Sequence, residues 1–236
     1  MKTIKIIFVF LCVAKLSAQD TDAYFADADI FFAAHVTNGR VDYKTIKNDP
    51  SSLDALLVQA AAIRVTTANA DSYKAFWINT YNLAVIKGVI SKYPVKSPLK
   101  IGGFFDNMKY EVGGIHTTLN DIENKLLRAK FPSEPRFHFT LVCAGLGCPP
   151  IIGEAYAPAK LEAQLQRQTV IALNNPNFIR VKGNKVQLSQ IFEWYKEDFI
   201  QNGSEVEYIN TFRKEAIPVK AKVSYYPYDW TLNASK

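Results

Sequence analysis

Residues able to do covalent chemistry gather in one stretch, Arg136 to Pro150, which reads Arg-Phe-His-Phe-Thr-Leu-Val-Cys-Ala-Gly-Leu-Gly-Cys-Pro-Pro. Four residues separate Cys143 from Cys148, and the pair admits three kinds of chemistry. It can close a local disulfide if its α-carbons come within about 7 Å, which an oxidising compartment favours, and a strained disulfide can itself be redox-active. It can supply half of a metal site, although zinc takes about four ligands and the three histidines are scattered; no metal or cofactor is expected. Either cysteine can also be a nucleophile activated by an imidazole. The base would then be His138 or His116, and the group orienting it Asn79, as an amide can do beside a Cys-His pair, or Glu123. A different use of the same stretch is binding without catalysis, with Arg128, Arg136 and His138 holding an anionic group such as a carboxylate.

These groups need elements to place them. Phe137, Phe139 and Leu141 alternate with Arg136, His138 and Thr140, and this period of two predicts a strand over Arg136–Val142 with its aromatic side on a core. On such a strand His138 and Cys143, an odd number of residues apart, point to opposite faces about 16 Å from one another. A direct pairing is therefore not expected, and His138 meets Cys148 only if the loop with Gly145 and Gly147 folds back. Asn79 and Asn82 lie three apart on an aromatic helix of about Asp71 to Lys92, either tying it to neighbouring backbone or, for Asn79, orienting an imidazole. Thr118 with Asp121 starts a helix at Leu119 that carries Glu123 and Arg128. These two are five apart, a spacing that does not bring them face to face on an α-helix.

The rest of the chain reads as helices with short hairpins. Helical spacing marks Asp22–Val36, with His35 as a boundary residue, and a second helix follows Asp49-Pro50. Lys109–Val112 with Ile115–Thr117, and Asn177–Val181 with Lys185–Leu188, form hairpins around glycine turns. Pro158 opens a helix through Leu173, Ser189 caps another carrying Trp194, Tyr195 and Phe199, and Ala221–Tyr226 is a last strand. Asp229 ties down the tail. The arrangement predicts an α+β fold in a single domain, with a mixed or antiparallel sheet covered by helices and the Arg136–Val142 strand at its centre; a remote papain-like arrangement is one version of it.

Several of these stretches together resemble a known family. Phe76-Trp77-Ile78-Asn79-Thr80-Tyr81-Asn82, Leu119-Asn120-Asp121-Ile122-Glu123, Leu126-Leu127-Arg128 and the cysteine stretch occur in the order seen in the family known as domain of unknown function 547, and Tyr228–Asn233 also resembles it. The resemblance runs from about Ser72 to Asn233 and implies special roles for Glu123 and Arg128. It implies no activity. The family often has His after the Ile-Glu pair, where this chain has Asn124.

Met1–Lys5 is basic, Ile6–Ala14 apolar, and Ser17-Ala18-Gln19 small, which predicts a secretory leader over residues 1–19 rather than a membrane span. Leu11 before Cys12 argues against lipid attachment. Removing the leader takes three lysines, lowers the formal charge from +6 to +3 and leaves 217 residues, enough for one hydrophobic core. The product is expected to be periplasmic or secreted, to lack a transmembrane segment and to have a small molecule or peptide as partner. No basic block of the kind nucleic acid requires is present, nor an HExxH or P-loop motif. The functions that remain are a thiol-dependent hydrolase or acyl transferase, an anion-binding envelope protein, and a non-catalytic protein shaped by a disulfide. The expected site is a pocket of Asn79, Glu123, Arg128, Arg136, His138 and the cysteine loop, with Glu123 or Asn79 beside the His138 ring.

Overall fold

The computed structural model describes residues 21–235; the expected leader and Cys12 lie outside them. The first helix, α1 (21–35), buries Tyr24, Ala28, Phe31 and Phe32 on one side, as its spacing predicts. It leads into a two-stranded ribbon, β1 (Val36–Thr37) and β2 (Arg40–Val41), turned at Asn38 and Gly39 with positive φ. Asp42 caps α2 (Tyr43–Asn48) by accepting from the Thr45 N–H, and α3 (Ser51–Ala62) follows Pro50. The axis of the domain is α4 (Ala70–Ile90), buried on all sides and started by Asn69, whose side chain accepts from the Ser72 N–H. Next come the hairpin β3 (Tyr110–Val112) and β4 (Ile115–Thr117) and a helix begun as α5 (Leu119–Asp121) with Thr118 as its cap.

The C-terminal part has α6 (Leu161–Asn174), then β5 (Ile179–Lys182) and β6 (Lys185–Ser189) as an antiparallel pair. The short helices α7 (Gln190–Trp194), α8 (Lys196–Phe199) and α9 (Glu205–Asn210) come before β7 (Lys222–Tyr226), which pairs with β6 in parallel. The class is α+β. Its sheet is distributed over two ribbons and one three-stranded sheet.

The central strand is absent. Pro135–Phe139 is a 3-10 helix, with proline in its first turn; Thr140 continues it as a turn, and residues 140–142 belong to no ladder. A strand would send Phe137 and Phe139 to the same side. The tighter turn of a 3-10 helix, about three residues per turn, separates them. Phe137 enters the larger core around α4, while Phe139 enters a second core with Phe178, Phe192 and Phe199. His138 lies between the two and is itself buried. Alternation of apolar residues was thus produced by two cores on either side of one short helix.

Backbone groups that a ladder would have paired are satisfied by side chains of α4. Asn82 Nδ2 donates to the Thr140 carbonyl at 3.0 Å, and its Oδ1 accepts from the Val142 N–H at 2.9 Å. Asn79 treats Tyr156 the same way, donating to its carbonyl at 2.7 Å and accepting from its N–H at 2.9 Å. Each amide acts as a replacement peptide group. Together they fix the segments before and after the cysteine loop to the most buried helix. Among the described residues no helix is long and apolar enough to cross a membrane.

Candidate active site

Cys143 and Cys148 lie on the loop between the two cores, with Cys148 packed against both. They are free thiols with sulfurs 2.9 Å apart, beyond the bonded distance of about 2.05 Å. Ala144 holds a positive φ of 65°, a conformation that a residue with a Cβ rarely adopts and that concentrates at functional sites. The loop is pinned by the tail: the N–H groups of Leu146 and Gly147 donate to the carbonyls of Thr231 and Asp229, and Asp229 accepts from the Thr231 N–H at 2.9 Å. Tyr228 presses its ring onto the loop, where a Cβ at Gly147 would stand 2.7 Å from that ring. Only glycine permits this approach. The Tyr228 hydroxyl then lies 2.8 Å from the Cys148 sulfur and 2.9 Å from that of Cys143.

The two thiols are made unequal by this arrangement. The Cys148 hydrogen bond pulls the Cys143 thiol below its ordinary range, against burial, with the Tyr228 hydroxyl and the Gly145 N–H adding to it. Burial pushes Cys148 well up, and negative charge on Cys143 pushes it further. The Cys143 N–H in turn donates to the Cys148 sulfur at 3.1 Å, and for either sulfur the thiolate is the nucleophilic form.

Both sulfurs line a cavity of about 370 Å³ together with His138, Glu123, Asn120 and Leu141. Apart from Ile191, its remaining wall is aromatic, made by Tyr81, Phe105, Trp194, Tyr195, Tyr228 and Trp230. The His138 ring stacks on Tyr195, centroids 4.1 Å apart, and its Nε2 lies 2.7 Å from Oδ2 of Asp198. An ionised carboxylate only accepts, so the proton of this contact sits on Nε2. Asp198 is also held by Arg128, through Nε to Oδ2 at 2.6 Å and the second guanidinium nitrogen to Oδ1 at 3.0 Å. Burial raises the Asp198 carboxyl, but the hydrogen bonds from His138 and Arg128 outweigh it and hold the group far below the usual carboxylate range.

Glu123 and Arg128 come to one side of their helix after all. Ile122–Arg128 is a π-helix, in which the Ala129 N–H reaches the Asn124 carbonyl five residues back at 3.0 Å. This wider turn carries residues five apart toward the same side, and such segments recur at functional sites. Asn124, where the family often has His, accepts from Arg128 and donates to the Asn120 side chain. The Arg128 guanidinium also covers the Tyr195 ring at 4.7 Å.

The other expected site residues are elsewhere. The partner of His138 is neither Glu123 nor Asn79: Asn79 is engaged with Tyr156 and is absent from the cavity wall. His116 sits on β4 opposite Glu111, exposed and away from the sulfurs. Arg136 forks between Glu134 and Glu162, with all four contacts between 2.6 and 2.9 Å, and faces a separate cavity of about 420 Å³ that reaches Asp198 from the other side. With Arg128 engaged by Asp198 and Arg136 by two glutamates, neither guanidinium is left as a free anion receptor. Sequence reading missed Asp198, Tyr195, Tyr228 and Trp230 as site residues. The aromatic residues were visible as conspicuous types, but Asp198 had no local signal.

Fold and site together define an α+β protein with a pair of free thiols and a buried His138 held by a half-buried Asp198 beside an aromatic cleft. A family model described as "Protein of unknown function, DUF547" matches residues 65–173. No curated protein and no solved structure matches the chain. Glu123, Arg128, His138 and both cysteines fall inside the matched stretch. Tyr195, Asp198 and the Tyr228–Asn233 segment lie beyond it, so the family match covers less of the chain than the motif resemblance does.

Proposed function

We propose that the protein is a thiol-dependent hydrolase or acyl transferase with Cys143 as nucleophile, His138 as base and Asp198 as the residue that positions His138. One observation carries this reading: a histidine with Nε2 locked on a carboxylate shares a cavity with a thiol whose ionisation is favoured. That is the division of roles found in nucleophile–base–orienter catalysis. The Cys143 sulfur bonds to the acyl carbon, and His138 Nδ1 holds the thiol proton. The bond to the leaving group breaks, and the leaving group takes that proton. Water, or an acceptor alcohol or amine, then attacks the thioester, gives its proton to His138 and frees the thiol.

The test is mass spectrometry of the intact protein after brief mixing with p-nitrophenyl acetate or a short acyl thioester at acidic quench. A single acyl adduct on Cys143, lost in Cys143→Ser and turning over slowly in His138→Ala, is expected. Absence of an adduct with wild-type protein whose thiols are reduced would overturn the proposal. The basic and then apolar N-terminal segment supports export to the periplasm or outside the cell, where N-terminal sequencing should begin close to Asp20.

A further inference from the structure

The cleft beside Cys143 has a wall whose chemistry suits one kind of ligand. Trp194, Tyr228 and Trp230 form a connected set of rings, with centroids 5.2 Å apart for Trp194–Tyr228, 4.6 Å for Tyr228–Trp230 and 6.0 Å for Trp194–Trp230. Phe105 extends the set, 6.0 Å from Trp230. These rings come from three separate parts of the chain and face one cavity. Trp194 remains 46% exposed, so this wall of the cavity is reached from solvent.

Charge narrows the choice. Glu123 is the carboxylate of this cavity, and among the described residues it takes part in no ion pair within 4 Å. Arg128, five residues along from Glu123, is bonded through two nitrogens to Asp198. Glu123 lines the cavity, while Asp198 and Arg128 are paired with each other outside its lining. An anionic ligand is repelled here. A neutral apolar ligand fills the space but gains nothing from Glu123. A cation over electron-rich ring faces with a carboxylate as counter-charge gains from both.

We propose that the cleft recognises its substrate by an ammonium group, a primary amine or a quaternary ammonium, seated against Trp194, Tyr228 and Trp230 with Glu123 as its counter-charge. Because Tyr228 also touches both sulfurs, the cation is held next to Cys143. The substrate class is therefore an ester, thioester or amide with a positive group close to its carbonyl. This assignment rests on the reading of the cleft as the substrate site, but its test needs no catalysis.

The experiment compares choline with 3,3-dimethylbutan-1-ol, its neutral isostere, and with 3,3-dimethylbutanoate, by tryptophan fluorescence in wild-type and Cys143→Ser protein. Choline should bind about tenfold more tightly than the neutral alcohol in both proteins, and the anion should bind worst. Glu123→Gln should remove most of that preference while leaving the alcohol unchanged, and Trp230→Leu should weaken both. Equal binding of choline and the alcohol, or preference for the anion, would overturn the proposal even if Cys143 forms an acyl adduct. Choline selectivity without any adduct would instead sustain this proposal and remove the catalytic one.

Discussion

Asp198 meets His138 across 60 residues of sequence, its Oδ2 2.7 Å from Nε2, and the same oxygen accepts from Arg128 Nε at 2.6 Å. One carboxylate thus fixes the imidazole and takes up the guanidinium. Its folded-state pKa lies below the value of about 4 of an unfolded Asp. The stabilisation is therefore complete above about pH 4 and is lost as the pH falls below it toward the folded value. Asp198→Asn should lower stability at pH 7 by about 1–3 kcal/mol, and the gap to wild type in urea unfolding should shrink below pH 4. A gap independent of pH would contradict the charge-based account.

Asn79→Ala and Asn82→Ala should act through the fold. Each removes an amide that satisfies a buried N–H and a buried carbonyl, leaving two groups unpaired at about 1–3 kcal/mol each. Chemical denaturation should show losses of about 2–4 kcal/mol. In Asn79→Ala, the folded fraction should keep the thiol reactivity of wild type; a selective loss of reactivity with stability intact would return Asn79 to the imidazole-orienting role.

How much of this was legible in the sequence differs by element. The burial of α4, the hairpin at Gly113-Gly114 and the Thr118 cap followed from spacing and residue type, because each is decided by local periodicity or a single side-chain bond. Arg136–Val142 misled for a definite reason. A period of two signals two environments, and a 3-10 helix wedged between two cores supplies two environments as well as a strand does. The cysteines and His138 stood out by type, and they line one cavity although the continuous strand expected between them is absent. The π-helix and Asp198 were not legible: the one is a difference of one residue in bonding register, the other an ordinary acidic residue in a short helix whose role comes from tertiary contact.

Arg136→Ala tests the separation of that guanidinium from the site. It should reduce stability by about 1 kcal/mol through the lost network with Glu134 and Glu162. The alkylation rate of Cys143 and the binding of choline should be unchanged. A large fall in either would place Arg136 in the cleft.

Tyr228→Phe keeps the ring on Gly147 and removes the hydroxyl shared by the sulfurs. The fold should hold to within about 1 kcal/mol. The pH at which Cys143 alkylation reaches half its maximal rate should rise, since one of the donors favouring the thiolate is gone. No change in that pH would assign Tyr228 a packing role only.

The central claim is that Cys143, rather than Cys148, is the reactive thiol. The most direct measurement is the rate of iodoacetamide labelling at each cysteine in reduced wild-type protein, resolved by peptide mass spectrometry from about pH 5 to 10. Cys143 should label first, with a half-maximal rate below the value of about 8.5 for a free thiol, and Cys148 should lag at every pH. Faster labelling of Cys148, or a Cys143 rate still climbing above pH 9, would contradict the account.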